Sequence, residues 1–174
     1  MRLGQHDGVG SDMERFLTSV ERSIQTENWY SALTMSLALP DICGWLEDPA
    51  LRSQRRYESW FDTYLGPTYR IQLNGRDVTF LTASDCYALR CAYLHEGADE
   101  VLRQKARDVV SRFVFCATGS HRVLVNTVLL LDARTFCGEV CAGVRQWSLN
   151  VAANPEVQGR MAELLLVRTG AFSI

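Results

Sequence analysis

The sequence predicts a mainly α-helical domain, an antiparallel helical bundle with one or two β-hairpins appended. Apolar residues recur every three or four positions through several long stretches, as they do on the buried face of a helix. Residues that cap helices stand at the starts and ends of these stretches. One Asn-Gly pair lies between two short alternating segments, which is typical of a tight hairpin turn.

Length and composition favour one globular domain. The chain has 174 residues, of which 47% are apolar and 22% are charged, values that argue against disorder. Residues 1–10 are predicted to be a loose tail and residues 11–174 a single domain. The net charge of −2 provides no overall basic field for nucleic acid, although RNA binding requires only a local basic patch.

Cysteine usage indicates a reducing compartment. Six cysteines are present without a C-x-x-C pair or a secretion signal, which favours reduced core thiols in a cytoplasmic protein over disulfides or a zinc site. No metal or cofactor is expected. No apolar run approaches the roughly 20 residues that a membrane span requires, so no membrane partner is expected either.

Three helices are predicted in the first part of the chain, over residues 11–27, about 28–46 and about 48–65. Pro40 predicts a kink or a restart in the second helix. The third helix carries Arg52, Arg55 and Arg56 beside aromatic residues. This pattern is more typical of a solvated face above an aromatic core than of nucleic-acid binding.

Two hairpins and three further helices are predicted beyond residue 65, one of them over residues 82–97. Asn74-Gly75 is predicted to join the strands of a first hairpin, and a short helical turn or two is predicted within residues 98–110. Residues 112–117 and 122–131 are predicted to be antiparallel strands joined by a turn that exposes His121. Helices are then predicted over residues 132–151, capped by Asp132, and 154–167.

The helix predicted over residues 82–97 carries the candidate chemistry. Thr82 is a favourable N-cap, with Asp85 three residues later, and Gly97 is a favourable C-terminal residue. Arg90 and His95 lie on this otherwise apolar helix. An arginine can bind a phosphate and a histidine can transfer a proton near neutral pH, so the pair suggests phosphate chemistry.

The six residues from Arg90 to His95 resemble the R-x4–6-H motif of the HEPN superfamily. HEPN proteins are α-helical bundles, and many are metal-independent endoribonucleases of prokaryotic toxin–antitoxin and antiviral systems. The resemblance implies that His95 acts as general base or acid at the ribose 2′-OH and that Arg90 stabilises charge on the scissile phosphate. It also implies RNA as substrate, a homodimer in which two motifs converge, and an antitoxin or other partner protein.

Two departures from the family pattern accompany the resemblance. Cys91 stands where the family usually has Asn, Asp or His, and Gly97 stands where its extended toxin form has Tyr. Cys91, Asp85 and Glu96 are the candidate substrate-binding residues around the pair. The sequence around the motif also resembles bacterial proteins of about this length, a likeness that implies no activity.

A non-catalytic interpretation stands beside the enzymatic one. In it Arg90 pairs with a carboxylate, with Asp85, Glu96 and Glu139 as candidates, and His95 caps carbonyl groups at the helix end. The protein would then be a binding or assembly module. Trp147 and the apolar segment 123–131 could form a dimer surface or belong to the core.

Overall fold

The computed structural model describes residues 11–167 and confirms the mainly helical class. Within this range the chain forms six α-helices and five β-strands. The helices are α1 (Ser11–Gln25), α2 (Trp29–Glu47), α3 (Ser53–Tyr64), α4 (Ala83–Glu96), α5 (Ala133–Asn150) and α6 (Pro155–Ala162). The strands are β1 (Arg70–Leu73), β2 (Arg76–Thr79), β3 (Arg112–Cys116), β4 (Val123–Val125) and β5 (Val128–Asp132). The predicted tail, residues 1–10, lies outside the described residues.

Helix α2 lies at the centre of the bundle and contacts the other five helices of the described range. It is apolar on more than one side, and its buried residues are spread around its circumference. Pro40 is buried inside this helix, which continues through it without a restart. The alternative of two separate helical segments is therefore wrong.

Helix α3 begins at Ser53, later than predicted. Asp48 precedes Pro49 and adopts an extended conformation, as residues before proline usually do. Its backbone N–H donates to the Gly44 carbonyl, and its side chain accepts from the N–H of Ala50 at 3.0 Å. Asp48 therefore ends α2 and forms a local turn instead of opening α3.

The first hairpin forms as predicted. Strands β1 and β2 pair antiparallel, with Leu73 opposite Arg76. The two connecting residues both have positive φ, +51° at Asn74 and +74° at Gly75, which a type I′ turn requires.

The second predicted hairpin is wrong in its pairing. Strand β3 pairs with β5 in parallel, Phe113 opposite Leu129, and the three-stranded sheet has the order β3-β5-β4. The antiparallel hairpin is instead β4–β5, with a turn at Asn126-Thr127 and a φ of +55° at Asn126. This turn lacks glycine and lies within an apolar run, so the run had the pattern of one continuous strand.

The ends of the remaining elements differ from the prediction in detail. Residues 98–110 form turns and bends, not helical turns. Helix α1 ends at Gln25, and α6 spans only Pro155–Ala162. The predicted cap of α5 is confirmed, because the Asp132 side chain accepts from the N–H of Thr135 at 2.8 Å.

One cluster of buried apolar side chains joins the helices to strands β3 and β5. Trp147 belongs to it: the residue is fully buried, and its indole N–H donates to Glu47 at 3.0 Å. Trp147 is therefore a core residue and not part of a dimer surface. None of the helices in the described range is long and apolar enough to cross a membrane.

Candidate functional site

Helix α4 has the predicted start and end. The Thr82 hydroxyl accepts from the N–H of Asp85 at 3.1 Å. Gly97 adopts a left-handed conformation with φ +65°, and its N–H donates to the Tyr93 carbonyl at 3.0 Å. Leu89 and other apolar residues on one side of the helix are buried in the core. This packing fixes the helix and leaves its last turn at the surface.

Arg90 and His95 are brought together at the C-terminal end of α4. Their separation of five residues turns an ideal helix by about 500°, so the two backbone positions lie about 140° apart. The long Arg90 side chain closes the gap, and its Nη1 lies 3.3 Å from His95 Nε2. A guanidinium nitrogen only donates, so a hydrogen bond between the two side chains requires His95 Nε2 as the acceptor.

Asp41 of α2 holds Arg90 from the bundle side. Arg90 Nη2 donates to Asp41 Oδ2 at 3.1 Å, and only 18% of the Arg90 side chain and 14% of that of Asp41 are exposed. The carboxylate also accepts from Arg56 Nε of α3 at 2.7 Å and from the Ser53 hydroxyl. We call the set Asp41, Arg56, Arg90 and His95 the Arg90 site.

The predicted pairing of Arg90 with a carboxylate is thus confirmed, but the partner is different. Asp85, Glu96 and Glu139 each have other contacts, and Asp41 takes the place proposed for them. Asp41 lies 49 residues before Arg90 in the chain. No helical period could point to it, because periodicity predicts the buried face of a helix and not its neighbour.

Two of the candidate substrate-binding residues, Cys91 and Glu96, lie close to the Arg90–His95 pair. Cys91 is half-buried, and its Sγ lies 4.0 Å from Arg90 Nη1. Glu96 is exposed and accepts from the Gln104 side chain at 3.0 Å. Both lie near the pair without a contact that would orient a substrate.

Asp85 does not face a substrate, contrary to the prediction. It is 1% exposed, and its carboxylate accepts from three consecutive backbone N–H groups, those of residues 108–110, at 2.7 to 3.2 Å. A buried carboxylate requires such donors, and these amides have a charged acceptor in return. Asp85 therefore fastens the segment 98–111 to the start of α4.

A second polar cluster surrounds Glu139 of α5, and the sequence analysis missed it. Glu139 accepts from the Tyr69 hydroxyl at 2.7 Å, pairs with the guanidinium of Arg122 and lies 3.3 Å from His121 Nε2. His121 Nδ1 accepts from the backbone N–H of Asp132 at 3.2 Å. The prediction that His121 faces solvent is wrong, since 12% of its side chain is exposed. The sequence offered one indication of this cluster, because Glu139 is a charged residue among the apolar residues of α5.

In the Glu139 cluster the charge of the carboxylate is balanced by that of Arg122, which distinguishes this cluster from the Arg90 site. Burial raises the pKa of Tyr69, and the neighbouring Glu139 carboxylate raises it further, so this phenol stays protonated and donates. The Arg122 guanidinium and the His121 ring complete the contacts of the carboxylate. This cluster fastens the segment before β4 to α5, whereas the Arg90 site has more basic than acidic groups and opens at the surface.

The cysteines and carboxylates offer no metal site within residues 11–167, where no group of three or more suitable side chains occurs. Four cysteines are buried, namely Cys43, Cys86, Cys137 and Cys141. Burial raises the pKa of Cys86 to about 12, so this thiol is protonated at neutral pH. Its Sγ lies 3.3 Å from the Tyr57 hydroxyl inside the core.

Comparison with known proteins adds no further assignment. No protein-family model, no curated protein and no solved structure matches the chain. The HEPN resemblance therefore rests on the residues of the motif alone.

Proposed function

We propose that the protein is a metal-independent endoribonuclease that acts on a phosphodiester at Arg90 and His95, with its helices in a HEPN-type arrangement. One observation carries the proposal: an arginine Nη1 and a histidine Nε2 lie 3.3 Å apart at the surface end of a well-capped helix. A carboxylate holds the arginine from the opposite side. The histidine is exposed, and its Nε2 is the nitrogen that faces the arginine.

The proposed reaction uses the nucleophile that RNA itself carries. His95 Nε2 accepts the proton of the ribose 2′-OH, and the 2′ oxygen attacks the adjacent phosphorus. The bond to the 5′ oxygen breaks, that oxygen takes a proton from water, and a 2′,3′-cyclic phosphate remains. Arg90 swings from His95 towards the phosphate and stabilises the charge that develops on its non-bridging oxygens.

A cleavage assay tests this proposal. The purified protein is incubated with an end-labelled oligoribonucleotide of mixed sequence in the presence of EDTA. We expect His95→Ala to reduce cleavage by about 10²- to 10⁴-fold, because it removes the general base. We expect Arg90→Ala to reduce it by about 10²- to 10³-fold, because it removes a donor to the transition state.

Arg76→Ala provides a matched control for this assay. Arg76 is an exposed arginine of β2 that does not belong to the Arg90 site, and its loss should leave cleavage unchanged. Cleaved products should end in a cyclic phosphate. Equal cleavage by the wild type and His95→Ala, or no cleavage by either, would contradict the proposal.

A non-catalytic binding module is the second candidate, and an apolar groove favours it. The groove lies between the start of α2, the end of α4 and β3, with a volume of about 450 Å³. Tyr30, Tyr93 and Phe115 are among its lining residues, and Tyr30 is 79% exposed. Wild-type protein that leaves RNA intact under all conditions of the assay would favour this candidate.

A further inference from the structure

We infer that Arg56 is a second phosphate-binding arginine of the Arg90 site and that Asp41 is the residue that positions both guanidinium groups. The ligand is a single-stranded RNA phosphodiester. This inference rests on the proposed function for its substrate class, but it concerns binding and can be tested apart from cleavage.

Asp41 holds the two arginines side by side. Its Oδ1 accepts from Arg56 Nε at 2.7 Å and its Oδ2 from Arg90 Nη2 at 3.1 Å, so each oxygen of the carboxylate holds one guanidinium. The Ser53 hydroxyl donates to the same carboxylate at 3.1 and 3.2 Å to its two oxygens. The three charged side chains come from three helices, α2, α3 and α4.

The charges of this group do not cancel. Two guanidinium groups share one carboxylate, and among residues 11–167 no second carboxylate forms an ion pair with either arginine. The two guanidinium groups and the carboxylate therefore leave one positive charge. A phosphodiester carries one negative charge, so it fits this surplus, whereas a simple Arg90–Asp41 pair would leave none.

Both guanidinium groups retain donors for a ligand. Arg56 uses Nε for Asp41 and Nη1 for the Leu51 carbonyl at 3.3 Å, which leaves Nη2 without an acceptor in the described part of the chain. Arg90 uses Nη2 for Asp41, and its Nη1 points to His95. The side chains of Arg56 and Arg90 are 19% and 18% exposed, so solvent reaches part of each.

A close approach of two helices places Arg56 beside Asp41. A Cβ added at Gly44 would lie 2.8 Å from the Arg56 carbonyl oxygen, closer than a real Cβ contact allows. Only glycine admits the backbone of α3 at this point. Gly44 follows Asp41 by three residues and so lies next to it on one side of α2.

Binding to 2′-O-methyl RNA tests the inference, because the blocked 2′ oxygen prevents cleavage. The probe is a fluorescent 12-mer of mixed sequence, and its anisotropy is measured over a range of salt concentrations. We expect Arg56→Gln to weaken binding by about tenfold or more, as loss of a charge-assisted contact does. The slope of log affinity against log salt should fall by about 0.7, the value for one single-strand phosphate contact.

Two further variants make the test specific. Arg55→Gln removes an exposed arginine from the neighbouring position of α3 and should change affinity less than Arg56→Gln. In an Asp41→Asn background, Arg56→Gln should weaken binding less than it does in the wild type, because Arg56 is then no longer held in place. Thermal melting of each variant reports whether the fold is retained, and Arg56→Lys, which keeps the charge, should restore part of the affinity.

The outcomes separate the inference from the proposed function. Wild-type protein that binds the probe through Arg56 but never cleaves RNA supports the inference and contradicts the nuclease. If the wild type cleaves RNA and the Arg56→Gln variant cleaves and binds RNA equally well, the inference is wrong and the nuclease proposal stands. Absence of wild-type binding to the probe, or additive effects of Asp41→Asn and Arg56→Gln, also overturns the inference.

Discussion

At the scale of single residues, the hydrogen bonds of Asp132 make the stability of the fold depend on pH. Burial works against its charged form, but the backbone and hydroxyl of Thr135 and the N–H of Gly119 donate to its carboxylate. These hydrogen bonds outweigh burial and lower the pKa of Asp132. Because the pKa is lower in the folded than in the unfolded state, charged Asp132 stabilises the fold above its unfolded pKa, about 3.9. That contribution is lost as the pH falls through the folded pKa.

We expect Asp132→Asn to lower the free energy of unfolding by about 1 kcal/mol at pH 7, since asparagine keeps a cap but not the charge. The difference in the free energy of unfolding between this variant and the wild type should become smaller as the pH is lowered below 4. Urea unfolding at pH 7 and pH 3 measures both values. Asp99→Asn, at an exposed surface position, is the control and should change little at either pH. A difference that widens at pH 3 would contradict the assignment.

Residue-level chemistry could be predicted from the sequence only where it depends on near neighbours. Arg90 and His95 share one helix, and helix geometry together with the length of the arginine makes their contact foreseeable. Asp41 could not be chosen from several carboxylates, because its contact with Arg90 depends on how α2 and α4 pack. His121 was misplaced for the same reason, since α5 supplies the Glu139 that covers it.

At the scale of elements, the segment 98–111 shows how a chain without regular structure is held. Its amides at positions 108–110 converge on the buried Asp85 carboxylate, and Val101 and Val110 pack into the core. The segment is thus fixed by one side chain from α4, by two apolar anchors and by backbone pairing with β3, where the Phe113 N–H donates to the Asp99 carbonyl at 3.0 Å. Helical propensity could not reveal this arrangement, because the decisive contact is made by a residue outside the segment.

We expect Asp85→Asn to increase hydrogen exchange at the amides of residues 108–110 by about tenfold or more, because a neutral amide is a weaker acceptor than a carboxylate. Amides in the middle of α5 should exchange at the wild-type rate and serve as internal controls. Exchange followed by NMR or mass spectrometry measures the change. Unaltered exchange at residues 108–110 would show that Asp85 does not hold the segment.

Turn chemistry explains which strands could be predicted. Asn74-Gly75 carries a strong local signal, and the β1–β2 hairpin follows from it. Asn126-Thr127 carries a weaker signal inside an apolar run, and the parallel pairing of β3 with β5 has no local signal at all. Parallel partners are selected by the connection between them and by the layer on which they pack.

At the scale of the whole molecule, strand β4 lies at one edge of the three-stranded sheet, and no strand of the described residues pairs with its outer side. Val123 is 41% and Val125 61% exposed on this short strand. An uncovered edge with β-branched residues is a template for pairing with another strand. We therefore expect the homodimer that the HEPN resemblance implies to use this edge, with β4 of one copy antiparallel to β4 of the other.

Light scattering at micromolar concentration should give the mass of a dimer for the wild type. Val125→Glu should shift the mass to that of a monomer, because a charge in the paired edge is unfavourable. Leu149→Glu is the control, since Leu149 is 71% exposed on α5 and its replacement should leave the dimer intact. A monomeric wild type would contradict the expectation.

The parallel pairing of β3 with β5 has a consequence for the order in which the chain folds. The β4–β5 hairpin closes a two-residue loop and can form within microseconds from neighbours in the chain. We expect strand β3 to pair later, because its partner strand belongs to that hairpin and the intervening chain has to fold back first. Substitutions in β3 should therefore act mainly on the unfolding rate and those at the Asn126 turn mainly on the folding rate.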